Sequence, residues 1–175
     1  MRFNNLVFSV LIGLTPAMGY AEDAAPTGSE AGFFEQAGTA FQEVLLSALS
    51  LSGTPYKYGG NSPDTGFDCS GFVRYVFNQA ANLTLPHGAR AISQLGKTIP
   101  VEQLQPGDLV FFNTLKKAFS HVGIYMGNGQ FIHAPSSGGG VHIVNMNDPY
   151  WAKRFNGARR IEQAATQSPA KPATE

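Results

Sequence analysis

The sequence predicts an α+β domain: N-terminal helices packed on one side of an antiparallel sheet of five to six strands. Two observations carry this. Apolar residues recur at helical spacing as far as about residue 95, and beyond it they fall into short β-branched and aromatic runs separated by turn residues. Helices first and short strands after is the order of an α+β domain. The chain has 175 residues, 43% hydrophobic and 14% charged, which is enough for one substantial core and short for two.

Taken in order, residues 1–21 read as an export signal. Arg2 supplies a positive charge, Leu6 to Leu14 an apolar run, and Pro16 to Ala21 a small-residue stretch before a cleavage point near Ala21-Glu22. The apolar run is far shorter than the roughly 20 residues of a membrane-spanning helix, so no stable membrane anchor is expected after cleavage. Residues 22–37 are expected as a flexible spacer, 38–163 as the folded domain and 164–175 as a disordered tail, because both ends are rich in small and polar residues.

Within the domain, Phe41, Val44, Leu45, Ala48 and Leu49 mark one face of a first helix, stopped by Gly53 and Pro55. Phe72, Val73, Val76, Phe77 and Ala80 mark a second, with Asp68 as its N-cap and Cys69 in its first turn. A shorter helix is expected over Ala89 to Leu95. Strands are expected at Leu109 to Phe112, His121 to Met126, Gln130 to His133, Val141 to Val144 and Phe155 to Ile161, with a hairpin turn at Gly127-Asn128-Gly129.

Lys plus Arg number 12, as do Asp plus Glu, and no basic stripe is present, so no nucleic-acid partner is implied. The chain contains one cysteine, which cannot form an internal disulfide, and a free thiol in an exported protein invites oxidation. Cys69 therefore calls for a reason. A helix N-terminus favours negative charge, so a lowered thiol pKa is expected there.

His121 opens one predicted strand and His133 closes the next, so pairing through the Gly-Asn-Gly turn brings both to one edge of the sheet. One imidazole can then accept the thiol proton while the other orients it. A Cys/His/His zinc site uses the same side chains, but the spacings match no zinc-finger pattern and no metal is expected. His87 and His142 read as bystanders. Gly59-Gly60 lacks the Gly-Lys-Ser/Thr of a phosphate loop. Tyr56 and Tyr58 read as half-buried packing residues, unless one phenol donates to an oxyanion. The loop Ser136 to Gly140 is expected to be mobile.

The segments PYKYGG, GFDCSGFVRYVF, LQPGDLVFF, HVGIYMGNGQFIHA and RFNGARR, in this order and spacing, closely resemble the NlpC/P60 family of cell-wall peptidases over about Leu46 to Ile161. The resemblance implies a papain-like α+β fold and cofactor-free hydrolysis of peptidoglycan stem peptides or their cross-links. The expected location is the periplasm or cell-wall space, and the expected state is a monomer. The resemblance also implies Cys69 as nucleophile, His121 as general base and His133 as orienting residue. Tyr56 matches a tyrosine near the oxyanion site, and Asp68 and Ser70 match positions that contact the substrate's amine in some relatives. Where relatives carry Leu-Pro-Arg followed by hydroxyl residues, this chain has Leu85-Pro86-His87-Gly88-Ala89. By the resemblance, the bond cut is D-alanine to meso-diaminopimelate between stems or γ-D-glutamate to the diamino acid within one. A non-catalytic wall-binding protein and an acyltransferase on the same fold are the alternatives.

Overall fold

The computed structural model describes residues 41–114, 116–137 and 139–161. The expected signal, spacer and tail lie outside the described residues. Helix α1 occupies residues 41–50, with Val44 and Ala48 buried and Leu46 and Leu49 exposed. The turn that follows it closes at Gly53, whose φ of 83° continues no right-handed helix.

The turn-rich stretch that follows contains a small hairpin, β1 (Asn61–Ser62) and β2 (Gly66–Phe67). Sequence periodicity does not show it, because two-residue strands are shorter than any repeat. Helix α2 (Cys69–Ala81) then buries Phe72, Val73, Val76 and Phe77. Asn82 closes it in the left-handed conformation at φ 52°, and the Leu83 N–H reaches the Phe77 carbonyl at 3.1 Å. Helix α3 (Ala89–Ile92) is a single turn, shorter than the expected 89–95.

Six strands form one antiparallel sheet: β3 (Lys97–Ile99), β4 (Leu109–Phe112), β5 (His121–Gly127), β6 (Gln130–His133), β7 (His142–Asn145) and β8 (Phe155–Arg160), in spatial order β3-β8-β4-β5-β6-β7. β3 is the strand the sequence pattern did not announce; Lys97 and Thr98 are exposed and only Ile99 is buried, so it carries no alternation to read. The β5–β6 turn has positive φ at Gly127, Asn128 and Gly129, as a tight hairpin requires.

The N-terminal helices pack on one face of the sheet, as expected, and the opposite face is covered as well. Leu109, Phe111, Val122, Ile124 and Ile132 pack with α1 and α2. The alternate residues Val110, Phe112, Phe131 and Ala158 pack with Ile99, Met146, Trp151 and Phe155. Trp151 belongs to α4 (Pro149–Ala152), capped by the Asp148 side chain on the Tyr150 N–H. A four-residue helix has no periodicity to detect, yet it lays an indole over the second face.

The motifs LQPGD and GARR meet in a buried ion pair. Arg160 donates from Nε to Asp108 Oδ1 at 2.7 Å and from Nη2 to Oδ2 at 2.8 Å, and Asp108 is 0% exposed. Asp108 Oδ2 also accepts the Gln105 N–H at 2.8 Å, so the carboxylate ties the entry of β4 to the end of β8. That anchors the two strands flanking β5 on one side.

Candidate active site

Cys69 is the first residue of α2. Asp68 caps the helix as its sequence position predicts: Oδ1 accepts the Gly71 N–H at 2.7 Å and the Ser70 hydroxyl at 2.9 Å, and Oδ2 accepts the Gly59 N–H at 3.1 Å. One carboxylate thus joins the helix start to the PYKYGG segment. A Cβ on Gly71 would lie 2.0 Å from the Gly60 carbonyl oxygen, so only glycine lets the helix approach that backbone. Cys69, Asp68, Ser70 and Gly71 are held as one unit.

The thiol is half-buried and lies against β5, where the backbone of Val122, the residue after His121, hydrogen-bonds to it. Burial pushes its pKa up to about 11 from 9.0; the Asp68 charge adds to the rise, while backbone hydrogen bonds from Val122, Ser70 and Cys69 itself oppose it. The expectation that the helix start lowers this pKa is therefore corrected. Loss of water disfavours the thiolate by more than the helix-start N–H groups favour it, and one of those groups is already satisfied by Asp68.

His121 and His133 meet as the strand pairing predicted. The pairing of Ile124 with Ile132 puts both histidines on one face, and His121 Nε2 lies 2.7 Å from His133 Nδ1. The contact uses one nitrogen of each ring, leaving His121 with Nδ1. Trp151 stacks on His121 at 5.6 Å between centroids and meets His133 edge-on at 5.0 Å. Enclosed in this way, His121 is 6% exposed and His133 0%. Burial lowers the His121 pKa to about 4; burial and then the neighbouring His121 and His142 lower that of His133. At neutral pH the thiol is protonated and both imidazoles are neutral.

Tyr56 is partly buried beside this unit, and its pKa is raised by burial, then by Cys69 and Asp68. Its phenol stays a donor at neutral pH. Tyr58 is 90% exposed and packs in no core, contrary to the half-buried expectation. His87 is exposed and lies 3.0 Å from Arg74 Nη1 through its Nδ1; the segment that departs from the family pattern is thus tied to the outer side of α2.

His142, expected as a bystander, stands directly across from His133 in the β6–β7 pairing, ring centroids 5.1 Å apart. The signal lay in the strand register: Gln130 to His133 against a strand beginning near Val141 puts the two in one row. Trp151 was missed because α4 is too short for a periodic pattern; its one signal was Asp148 followed by Pro149 at the helix start. The Ser136 to Gly140 loop, expected to be mobile, is pinned at its end: Gly140 bridges to Pro55, the Tyr56 N–H reaches the Gly139 carbonyl at 3.1 Å and the Val141 N–H reaches Thr54 at 2.9 Å. Among the described residues, no three His, Cys, Asp or Glu side chains are grouped as metal ligands would be, and no helix is long and apolar enough to cross a membrane.

Comparison with known proteins agrees with this architecture. Residues 53–160 match the NlpC/P60 family. The chain is 42% identical over 121 residues to murein DD-endopeptidase MepH of Escherichia coli K12, covering 67% of this chain and 45% of that protein. It is 46% identical over 118 residues to murein DD-endopeptidase MepS/murein LD-carboxypeptidase of the same organism, covering 67% and 61%. The chain thus spans roughly half the length of these curated relatives. The solved structure of the peptidoglycan hydrolase RipB of Mycobacterium tuberculosis superposes with a TM-score of 0.64 at 31% identity, covering 79% of this chain and 72% of that one. With a match over residues 53–160, more than half its length, and the α+β fold built on a six-stranded antiparallel sheet, the chain belongs to the NlpC/P60 family.

Proposed function

We propose that the protein is a cysteine endopeptidase that hydrolyses peptidoglycan stem peptides or their cross-links outside the cytoplasm. The observation that carries this reading is the His121 Nε2 to His133 Nδ1 contact of 2.7 Å, on the strand whose next residue hydrogen-bonds the Cys69 thiol. A hydrogen bond of that length holds the base in one orientation, as a nucleophile–base pair needs.

In the proposed reaction, Cys69 Sγ attacks the scissile carbonyl carbon as its proton passes to His121 Nδ1. Because the resting pair is neutral, the proton moves with the attack rather than before it. The negative charge that develops on the carbonyl oxygen is met by the Cys69 N–H and the Tyr56 hydroxyl. The carbon–nitrogen bond then breaks, the leaving amine takes the proton from His121, and a thioester to Cys69 remains. Water, deprotonated by His121, hydrolyses the thioester and returns the thiol its proton. His133 orients His121 and accepts from its Nε2–H throughout. Asp68 and Ser70 are proposed to face the amine of the substrate as well as to hold the helix start.

The names of the relatives MepH and MepS, both murein DD-endopeptidases, support the cross-link between stems as the bond cut, and a γ-DL-glutamyl hydrolase of Bacillus subtilis, 42% identical over 125 residues, supports the bond within one stem as the second reading. An export signal over residues 1–21, a monomeric state and action in the periplasm or wall space complete the proposal; the apolar run Leu6 to Leu14 supports export. Purified sacculi incubated with the protein, then resolved by chromatography and mass spectrometry, test it. Free stem fragments or resolved cross-links are expected. New acyl conjugates would make the protein a transferase, and binding without products would make it a wall-binding protein.

A further inference from the structure

For His121 Nδ1 to serve as a base, His121 Nε2 must carry a hydrogen and donate it to His133 Nδ1. Neutral His133 then holds its own hydrogen on Nε2. That nitrogen is buried and has no partner at hydrogen-bond distance. In the reverse arrangement, His133 Nδ1–H donates to His121 Nε2, and His121 Nδ1 is protonated and useless as a base. The 2.7 Å contact is satisfied equally by both. In either arrangement this buried nitrogen lacks a partner, as an N–H without an acceptor or as a lone pair without a donor, and both are unfavourable; a neighbouring acceptor is therefore what would select the productive one.

His142 stands where such an acceptor has to be. It is the direct cross-strand partner of His133, so both side chains rise from one face of the sheet. Its Nδ1 lies 2.7 Å from the Gly140 carbonyl oxygen. A carbonyl only accepts, so Nδ1 carries the hydrogen and the neutral ring has its lone pair on Nε2. The His133 and His142 centroids are 5.1 Å apart at 64°, against 4.9 Å and 87° in the hydrogen-bonded His121–His133 pair. The rings are thus at the separation an imidazole–imidazole hydrogen bond uses. Gly140 is itself fixed, since it bridges to Pro55 and the next residue exchanges hydrogen bonds with Gly53 and Thr54.

We propose that His142 is a positioning residue: its Nε2 accepts the His133 Nε2–H, directly after a small ring rotation or through one water. This holds His133 in the form that leaves His121 Nδ1 free for the thiol proton. The inference rests on the assignment of His121 and His133 proposed above. It extends that pair to a row of three imidazoles running from the base to the partly exposed edge at β7. No bond is made or broken at His142; it acts only by selecting one arrangement of two hydrogens.

The test compares His142→Leu and His142→Gln in the full chain, with steady-state cleavage of a soluble cross-linked muropeptide and nitrogen-15 spectra of the imidazoles. His142→Leu is expected to lower kcat about tenfold, equivalent to ~1.4 kcal/mol, with KM unchanged, and to move His133 toward the Nδ1–H form. His142→Gln, whose amide oxygen accepts a hydrogen bond, is expected to restore most of kcat and the Nε2–H form. The proposal is overturned if His142→Leu keeps kcat within about twofold of the parent, if kcat falls while the His133 form stays unchanged, or if Gln is no better than Leu. If His142→Leu does not fold, the parent spectrum decides alone: His133 must be found as Nε2–H. Full activity of His121→Ala would sink the catalytic assignment itself, whatever the His142 variants do.

Discussion

Alkylation of Cys69 by iodoacetamide, followed from about pH 5 to about pH 9, reads the state of the thiol directly because only the thiolate reacts. Burial raises this thiol from 9.0 to about 11, which cuts the thiolate fraction at neutral pH about a hundredfold relative to an ordinary cysteine. The rate is expected to climb about tenfold per pH unit across the whole range, with no plateau, and to stay about a hundredfold below that of a free cysteine peptide. Mass spectrometry of the intact chain gives the rate. Asp68→Asn removes a charge that contributes to the rise while keeping a side chain that can cap α2, so it should alkylate faster at every pH. A rate that is flat through neutrality would mean a preformed thiolate–imidazolium pair, and would refute the argument that desolvation outweighs the helix-start N–H groups.

Two further outcomes concern buried ionisable groups. Unfolded histidine takes a proton near 6.5, whereas folded His121 resists protonation down to about 4. The unfolded state therefore binds more protons in that window, and stability falls as the pH drops through it, by about 1.4 kcal/mol per pH unit from His121 alone. His133 is shifted the same way and steepens the loss. Thermal melts of the parent and of His121→Gln should show a shallower pH dependence in the variant; equal slopes would contradict the burial argument. Arg160→Leu leaves the Asp108 carboxylate, 0% exposed, without its cation, and should cost ~3–5 kcal/mol. The melting temperature should then drop by roughly 10 °C or more, and Asp108→Asn added to Arg160→Leu should recover part of it. A drop of no more than about 2 °C would show that the pair contributes little.

The features legible in the sequence were those set by local chemistry or by a repeat long enough to count. The α2 face, the Asp68 cap and the Gly-Asn-Gly hairpin are of this kind, and the hairpin alone brings His121 and His133 to one edge. The LVFF run of β4 is buried on both sides, which a continuous apolar run permits and which hid the second covered face. What escaped depends on distant packing. β3 has one buried residue, α4 has four residues in all, and the Trp151 indole reaches the histidines only because α4 lies across the sheet. The sign of the Cys69 shift was also out of reach, since the helix start is visible in sequence and the depth of burial against β5 is not. His142 lay between the two: its row follows from register, but its relevance appears only with the orphaned His133 nitrogen beside it.

Hydrolysis of purified sacculi by the parent, Cys69→Ala and His121→Ala, all confirmed folded by their melting curves, tests the central assignment most directly. Muropeptide products from the parent and none above background from either variant are the predicted result. Undiminished products from Cys69→Ala would contradict it.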